Sequence, residues 1–149
     1  MNPETGSWQV EAAHSDDVEQ IRDLVDSVGG DLDRLQPEQF RVARNSEHRV
    51  IGCVRLKPYP GFYELASLAI SNQWRASGVG RELVNTLLKS HQGPVFLICE
   101  DQVIEFFRRF GFGLIPPSEI PPGLESKIAR YRSESGHINV MRRDRSPIN

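Results

Sequence analysis

The sequence predicts an α/β fold, one domain over residues 1–149, with a mixed, mostly antiparallel sheet and a central parallel strand pair flanked by helices. Three observations predict it. Residues 40–70 alternate apolar runs with turn signals, N-S-E-H at 45–48 and P-Y-P-G at 58–61, the pattern of an antiparallel meander. Residues 63–88 then pass from an apolar run through a glycine-bearing turn into an amphipathic helix. Finally V-F-L-I-C, at 95–99, is a continuous apolar run of the kind buried on both faces, and strand, helix and buried strand make a right-handed parallel crossover. A chain of 149 residues matches the usual size of one domain and buries a core without disulfides or metal.

The elements follow in order. Residues 8–12 form a first strand, with Trp8 and Val10 on one face. A helix starts at His14-Ser15-Asp16-Asp17, with Ser15 as N-cap and the acids at the positive end of the helix dipole. Val18, Ile21, Val25 and Val28 repeat at helical spacing, and Gly29-Gly30 ends the helix. A polar connector over 31–38 is a place for a substrate-contacting loop. Strands over 40–44, 49–57 and 62–70 form the meander. A helix over 78–91 presents Leu83, Val84, Leu87 and Leu88 on one face and stops at Gly93-Pro94. After the buried strand comes a helix over 100–110 with Val103, Phe106, Phe107 and Phe110 inward. A strand follows at 112–115, then a proline-rich passage, a short helix over 124–132 and a final strand over 137–142.

Composition limits the function. A formal net charge of −2 offers no broad basic field for nucleic acid, and Arg142, Arg143 and Arg145, interrupted by Asp144, read as a solvated tail. No apolar run approaches the ~20 residues that span a bilayer, and the N-terminus lacks the basic start and apolar core of a signal peptide. Two cysteines, Cys53 and Cys99, both in apolar runs, fit a reduced cytoplasmic protein. The four histidines lack metal-ligand spacing, so no metal is expected.

The turn over 75–80 is an anion site in outline. Backbone N–H groups at a helix start have no intrahelical partner, and the dipole favours negative charge there. Gly78 and Gly80 permit close approach, and Arg75 and Arg81 add charge-assisted bonds to phosphate. The alternative is a tight strand-to-helix turn with solvated arginines. Two nucleotide motifs are excluded by spacing. The dinucleotide fingerprint needs a glycine where Leu83 stands, and the P-loop ends in G-K-[ST] where this loop ends in G-R-E.

R-x-x-G-x-G at 75–80, after a strand ending L-A-I, resembles the acyl-CoA-binding motif of the GNAT N-acetyltransferase superfamily. E-F-F-R-R-F-G-F at 105–112 is similar to that family's later F-Y-x-x-x-G-F helix end. The resemblance runs from about Phe40 to Phe112 and implies a GNAT-like fold whose central parallel strands splay apart. It implies acetyl-CoA as acyl donor and direct attack by an amine. Leu68, Ala69 and Ile70 would meet the pantetheine arm through the backbone, the way a strand is added to a sheet edge. Arg75, Ala76, Ser77, Gly78, Val79, Gly80 and Arg81 would hold the pyrophosphate. The N–H near Leu68 would polarise the thioester carbonyl.

Glu64, early on the splayed strand, stands where family members often place a general base, against the plain reading of a strand-edge charge. The tyrosine that many members use to protonate the departing thiolate is replaced by Phe107. Tyr59, Tyr63 and Tyr131 are the other phenols, with Tyr63 on the strand face opposite Glu64. Glu100 and Asp101 follow the buried strand where the family often has a contacting residue, and Cys99 beside them reads as a structural thiol. A weaker similarity to the acetyltransferase domain of N-acetylglutamate synthase implies a small amine or amino acid as acceptor. Arg55, Lys57 or Arg132 would then pair with a carboxylate if not merely surface charges. The competing readings are a protein or peptide N-acetyltransferase, a non-catalytic acyl-CoA-binding regulatory module, and a partner-binding domain whose glycine turn binds nothing. An exposed final strand over 137–142 offers one way to form a homodimer.

Overall fold

The computed structural model describes residues 6–89 and 91–144, so Arg145 of the expected basic tail lies outside the described residues. Seven strands are hydrogen-bonded in the order β1-β2-β3-β4-β5-β7-β6. They are β1 (Trp8–Ala12), β2 (Phe40–Asn45), β3 (Val50–Tyr59), β4 (Phe62–Ile70), β5 (Val95–Cys99), β6 (Gly113–Leu114) and β7 (Asn139–Arg143). The helices are α1 (Val18–Ser27), α2 (Val79–Lys89), α3 (Ile104–Arg108) and α4 (Glu125–Ser135). This is the mixed α/β sheet expected, with one parallel pair.

The backbone divides into two compact units, and β4 contributes to both, its residues through Glu64 to the second and those from Leu65 to the first. In the first unit β1 runs antiparallel to β2, with Trp8 opposite Asn45 and Ala12 opposite Arg41, and β2 runs antiparallel to β3. The β2–β3 turn is held by the Asn45 side-chain oxygen, which accepts from the N–H groups of Glu47 and Arg49, both at 3.0 Å. Ile21 and Val25 of α1 pack with Phe40, Val42, Cys53 and Ala69. The same heptad-like stripe leaves Val28 exposed, because α1 ends before it.

The start of α1 differs from expectation. A 3-10 turn, Ser15–Asp17, precedes α1, so His14 rather than Ser15 stands at the cap of that turn. Asp17 takes the capping role: its carboxylate accepts from the His14 N–H at 2.8 Å and, bidentately, from Arg44 of β2 at 3.0 and 2.9 Å. The Arg44 guanidinium holds the Asp17 carboxyl below its usual range, against burial that pushes it up, with the His14 N–H adding to the lowering.

Helix α2 buries Val79, Leu83, Val84, Leu87 and Leu88. Its approach to β3 requires Gly52: a Cβ there would stand 3.0 Å from side-chain atoms of Ile70, Leu83 and Val79 alike.

In the second unit the parallel ladder pairs Tyr63 with Val95 and Glu64 with Phe96. β7 lies between β5 and β6, antiparallel to both. The final strand is therefore no free edge, and pairing two chains through it would require displacing β6. Arg142 and Arg143 belong to β7 and not to a solvated tail. Arg142 pairs with Glu119 at 2.7 Å and Asp144 at 2.9 Å, and buried Arg143 donates to the Phe110 carbonyl at 2.8 Å. The second core gathers Phe96, Leu124, Ile128, Ile138 and Val140, flanked by Tyr59, Phe62 and Tyr131. Among the described residues, no helix is long and apolar enough to cross a membrane.

Candidate active site

The expected cofactor residues, Leu68 to Ile70 and Arg75 to Arg81, all lie in the first unit. Between them Trp74 is buried and anchors the loop. Its N–H donates to Ser71 O at 2.9 Å, and its own carbonyl accepts from the Ser77 hydroxyl. From that anchor the chain turns through two left-handed residues, Ala76 (φ 64°) and Gly78 (φ 93°), into α2. Nothing lies within 4 Å of where a Gly78 Cβ would be, so glycine serves the backbone conformation and an open surface here, not close packing. Gly80 is already inside α2. Arg75 and Arg81 are exposed, and among the described residues neither takes part in an ion pair. Two unneutralised guanidinium groups beside a helix N-terminus can take a multiply charged anion.

One residue of β4 departs from strand geometry. Ser67 has φ +58°, the left-handed region that a non-glycine residue seldom enters. Its hydroxyl donates to Asp31 O at 2.7 Å and accepts from Arg55 Nε at 2.9 Å. The sequence signal was a lone polar residue in the middle of the apolar run L-A-S-L-A-I. A separate open cleft of about 540 Å³ in this unit, lined by Gln20, Asp23, Arg49 and Ser71 among others, contains none of the expected cofactor residues.

Glu64 belongs to the second unit and is not a solvent-facing strand-edge charge. It is 2% exposed, with Oε1 accepting from the Tyr59 hydroxyl at 2.8 Å and Oε2 from Lys127 Nζ at 2.6 Å. Lys127 comes from α4, whose late position gave no hint of this contact. Tyr63 points away and is 39% exposed, as strand alternation requires, its ring edge-on to His91 at 4.7 Å. Tyr131 stays near the cluster, its ring 5.7 Å from Lys127 Nζ.

The remaining candidates separate cleanly. Arg55 and Lys57, expected at the surface or on a substrate carboxylate, are buried and committed to protein partners; Lys57 Nζ reaches Asp31 at 2.8 Å and Asp33 at 3.3 Å. Arg132 is exposed. Phe107, at the position of the missing tyrosine, is buried edge-on between Phe106 and Phe112. Glu100 and Asp101 are exposed, and Asp101 accepts from Asn139 at 2.8 Å. Burial pushes the Cys53 thiol up to about 12 and the Cys99 thiol to about 11, the latter helped by Asp101 and Glu100, so neither is a thiolate at neutral pH. Among the described residues no group of acidic, histidine and cysteine side chains could hold a metal ion.

Residues 5–112, more than half of the chain, match the family model described as Acetyltransferase (GNAT) family. The chain belongs to the GNAT acetyltransferase family. Solved structures share the fold. N-acetylglutamate synthase from Neisseria gonorrhoeae, complexed with coenzyme A and N-acetyl-glutamate, superposes with a TM-score of 0.71 at 22% identity over 94% of this chain and 35% of that one. A Mycobacterium tuberculosis protein in complex with CoA and NLQ gives 0.73 at 22% identity over 91% and 98%. Ard1 from Thermoplasma volcanium gives 0.69 at 19% over 93% and 98%. This GNAT chain thus spans about a third of the gonococcal synthase and nearly all of the other two. No curated protein matches.

Proposed function

We propose that this chain is a single-domain, cytoplasmic N-acetyltransferase that moves the acetyl group of acetyl-CoA to the amine of a small molecule or amino acid by direct attack. The observation that carries the cofactor half is the pair of exposed guanidinium groups, Arg75 and Arg81, on the glycine turn that opens α2, neither in an ion pair among the described residues. The pyrophosphate takes the N–H groups of Gly78, Val79 and Gly80 and the loop residues Ala76 and Ser77, with Arg75 and Arg81 neutralising it. Leu68, Ala69 and Ile70 bind the pantetheine arm through the backbone. The Leu68 N–H stabilises the negative charge that grows on the thioester oxygen under attack.

On the acceptor side Glu64 takes the proton that the amine must lose, directly or through water. A carboxylate offers about four acceptor positions, and Tyr59 and Lys127 fill two, which leaves capacity for an amine N–H. The departing CoA sulfur needs no tyrosine at the Phe107 position, since a thiol with a pKa of about 8.5 leaves as thiolate. The gonococcal synthase of similar fold, complexed with CoA and N-acetyl-glutamate, supports an amino-acid acceptor.

Phe107, standing where many family members carry the tyrosine acid, favours a second reading, a non-catalytic acyl-CoA-binding module. Both readings require cofactor binding. Acetyl-CoA at 100 times its Kd raises stability by about 2.7 kcal/mol, visible as a higher thermal midpoint. Arg75→Ala combined with Arg81→Ala should abolish most of that rise. An unchanged midpoint at saturating acetyl-CoA would end both readings.

A further inference from the structure

Arg55 is fully buried, and each of its five N–H donors has a protein acceptor. Nε donates to Ser67 Oγ at 2.9 Å. Nη1 donates to Arg34 O at 3.2 Å and Gln39 Oε1 at 2.9 Å, and Nη2 to Asp31 O and Asp33 O, both at 3.0 Å. Four of the five acceptors belong to the connector between α1 and β2, and the fifth is the one β4 residue with a positive φ. The charge is balanced locally: Asp31 lies 3.6 Å from Nη2, and Lys57 reaches both Asp31 and Asp33.

Ser67 is clamped on every side. Its hydroxyl bridges Arg55 and the Asp31 carbonyl, and its own carbonyl accepts from the Cys53 thiol at 3.6 Å. An L-residue enters the left-handed region only when its surroundings hold it there. Ser67 immediately precedes Leu68, so its backbone angles set the direction of the peptide group that carries the Leu68 N–H.

We infer that Arg55 is a positioning residue for acyl transfer: it locks Ser67 in the left-handed conformation, aims the Leu68 N–H, and ties that aim to the connector over 31–39. The inference rests on the acetyltransferase reading of Leu68. Only a planar fork with five fixed donors meets this acceptor set, and a lysine with three donors on a flexible stem does not. Because the connector supplies four of the acceptors, its conformation and the Leu68 N–H move together.

The test compares Ser67→Gly with Ser67→Ala, alongside Arg55→Lys. Both serine variants remove the hydroxyl and leave Arg55 Nε equally unpartnered, but glycine takes positive φ freely and alanine does not. For each variant, kcat, KM for acetyl-CoA and the thermal midpoint are measured with the best amine found for the wild type. The expected result is a kcat lower by ~100–1000-fold in Ser67→Ala, the scale on which loss of one oxyanion donor acts. Ser67→Gly should keep kcat within about threefold, and KM for acetyl-CoA should change little in either. Arg55→Lys should behave like Ser67→Ala, and adding Ser67→Gly should restore much of its kcat. A wild-type kcat in a folded Arg55→Lys overturns the inference; if that variant does not fold, Gln39→Leu, which takes one acceptor from Arg55 and leaves the arginine in place, should lower kcat, and an unchanged kcat overturns it instead. Equal kcat in Ser67→Ala and Ser67→Gly, whether both high or both low, overturns the inference. If the wild type releases no thiol with any amine, the acetyltransferase reading has failed instead, which is a separate result.

Discussion

Glu64 shows how a single side chain can be visible in a sequence while its state is not. Its place on β4 follows from strand alternation opposite Tyr63, but its partner Lys127 lies 63 residues away and is brought to it by the fold of α4. Removing one member of a buried pair strands the other: Lys127→Met should destabilise the protein by ~3–5 kcal/mol in chemical denaturation. Pairing it with Glu64→Gln should recover much of the loss, because no buried charge is then left over. Arg55 gave an opposite lesson. A cation in the apolar strand R-V-I-G-C-V-R-L-K reads as a surface charge or a partner for a substrate carboxylate, yet Arg55 is fully buried because the connector folds its carbonyls around the guanidinium. Two further residues contribute to the pH response. Burial, helped by the Arg143 charge, lowers the His91 pKa below its usual 6.5, so its contribution to stability is present above about 6.5 and is lost as pH falls through the folded value. The Arg44 bond lowers Asp17 below 3.8, so its contribution persists in the neutral range and is lost in stronger acid. Urea midpoints should therefore fall in two stages on acidification, and His91→Gln should remove the first.

At the scale of elements, local signals located nearly every helix and strand but not the order of the last three strands. Turn residues such as Asn45 and Gly61 act within a few residues, and the hydrophobic stripe of α2 is a property of its own sequence. The insertion of β7 between β5 and β6 depends on pairings such as Phe96 with Arg142, which no local periodicity encodes. The proline-rich passage resolves into two 3-10 turns, Pro117–Glu119 and Pro122–Leu124, as rings that block α-helix and ladder bonding allow. The contact between α2 and β3 depends on Gly52, hidden in the sequence as one glycine of an apolar strand. Gly52→Val should overpack that contact and cost ~1–3 kcal/mol, read from the urea midpoint. Acetyl-CoA binding should weaken in the same variant, because the proposed anion turn over 75–80 runs into the start of α2.

For the whole molecule, two short motifs were enough to give the family. The spacing R-x-x-G-x-G at 75–80 and the aromatic helix end at 105–112 lie inside the matched residues 5–112, and the sheet they imply is the sheet observed. The proposed cofactor side was legible because its residues, 68–70 and 75–81, lie close together in sequence. The proposed acceptor side was not, because Glu64 meets Tyr59 across a strand turn and Lys127 only through a contact 63 residues long in sequence. Free-thiol release from acetyl-CoA reports the proposed amine acetylation without an intervening step. With a panel of small amines, amino acids and N-terminal peptides, at least one small amine or amino acid should accelerate release well above hydrolysis, and Glu64→Gln should reduce that rate by ~10²–10⁴-fold. Binding of acetyl-CoA with no acceleration by any amine would contradict the proposal and leave a binding module in its place.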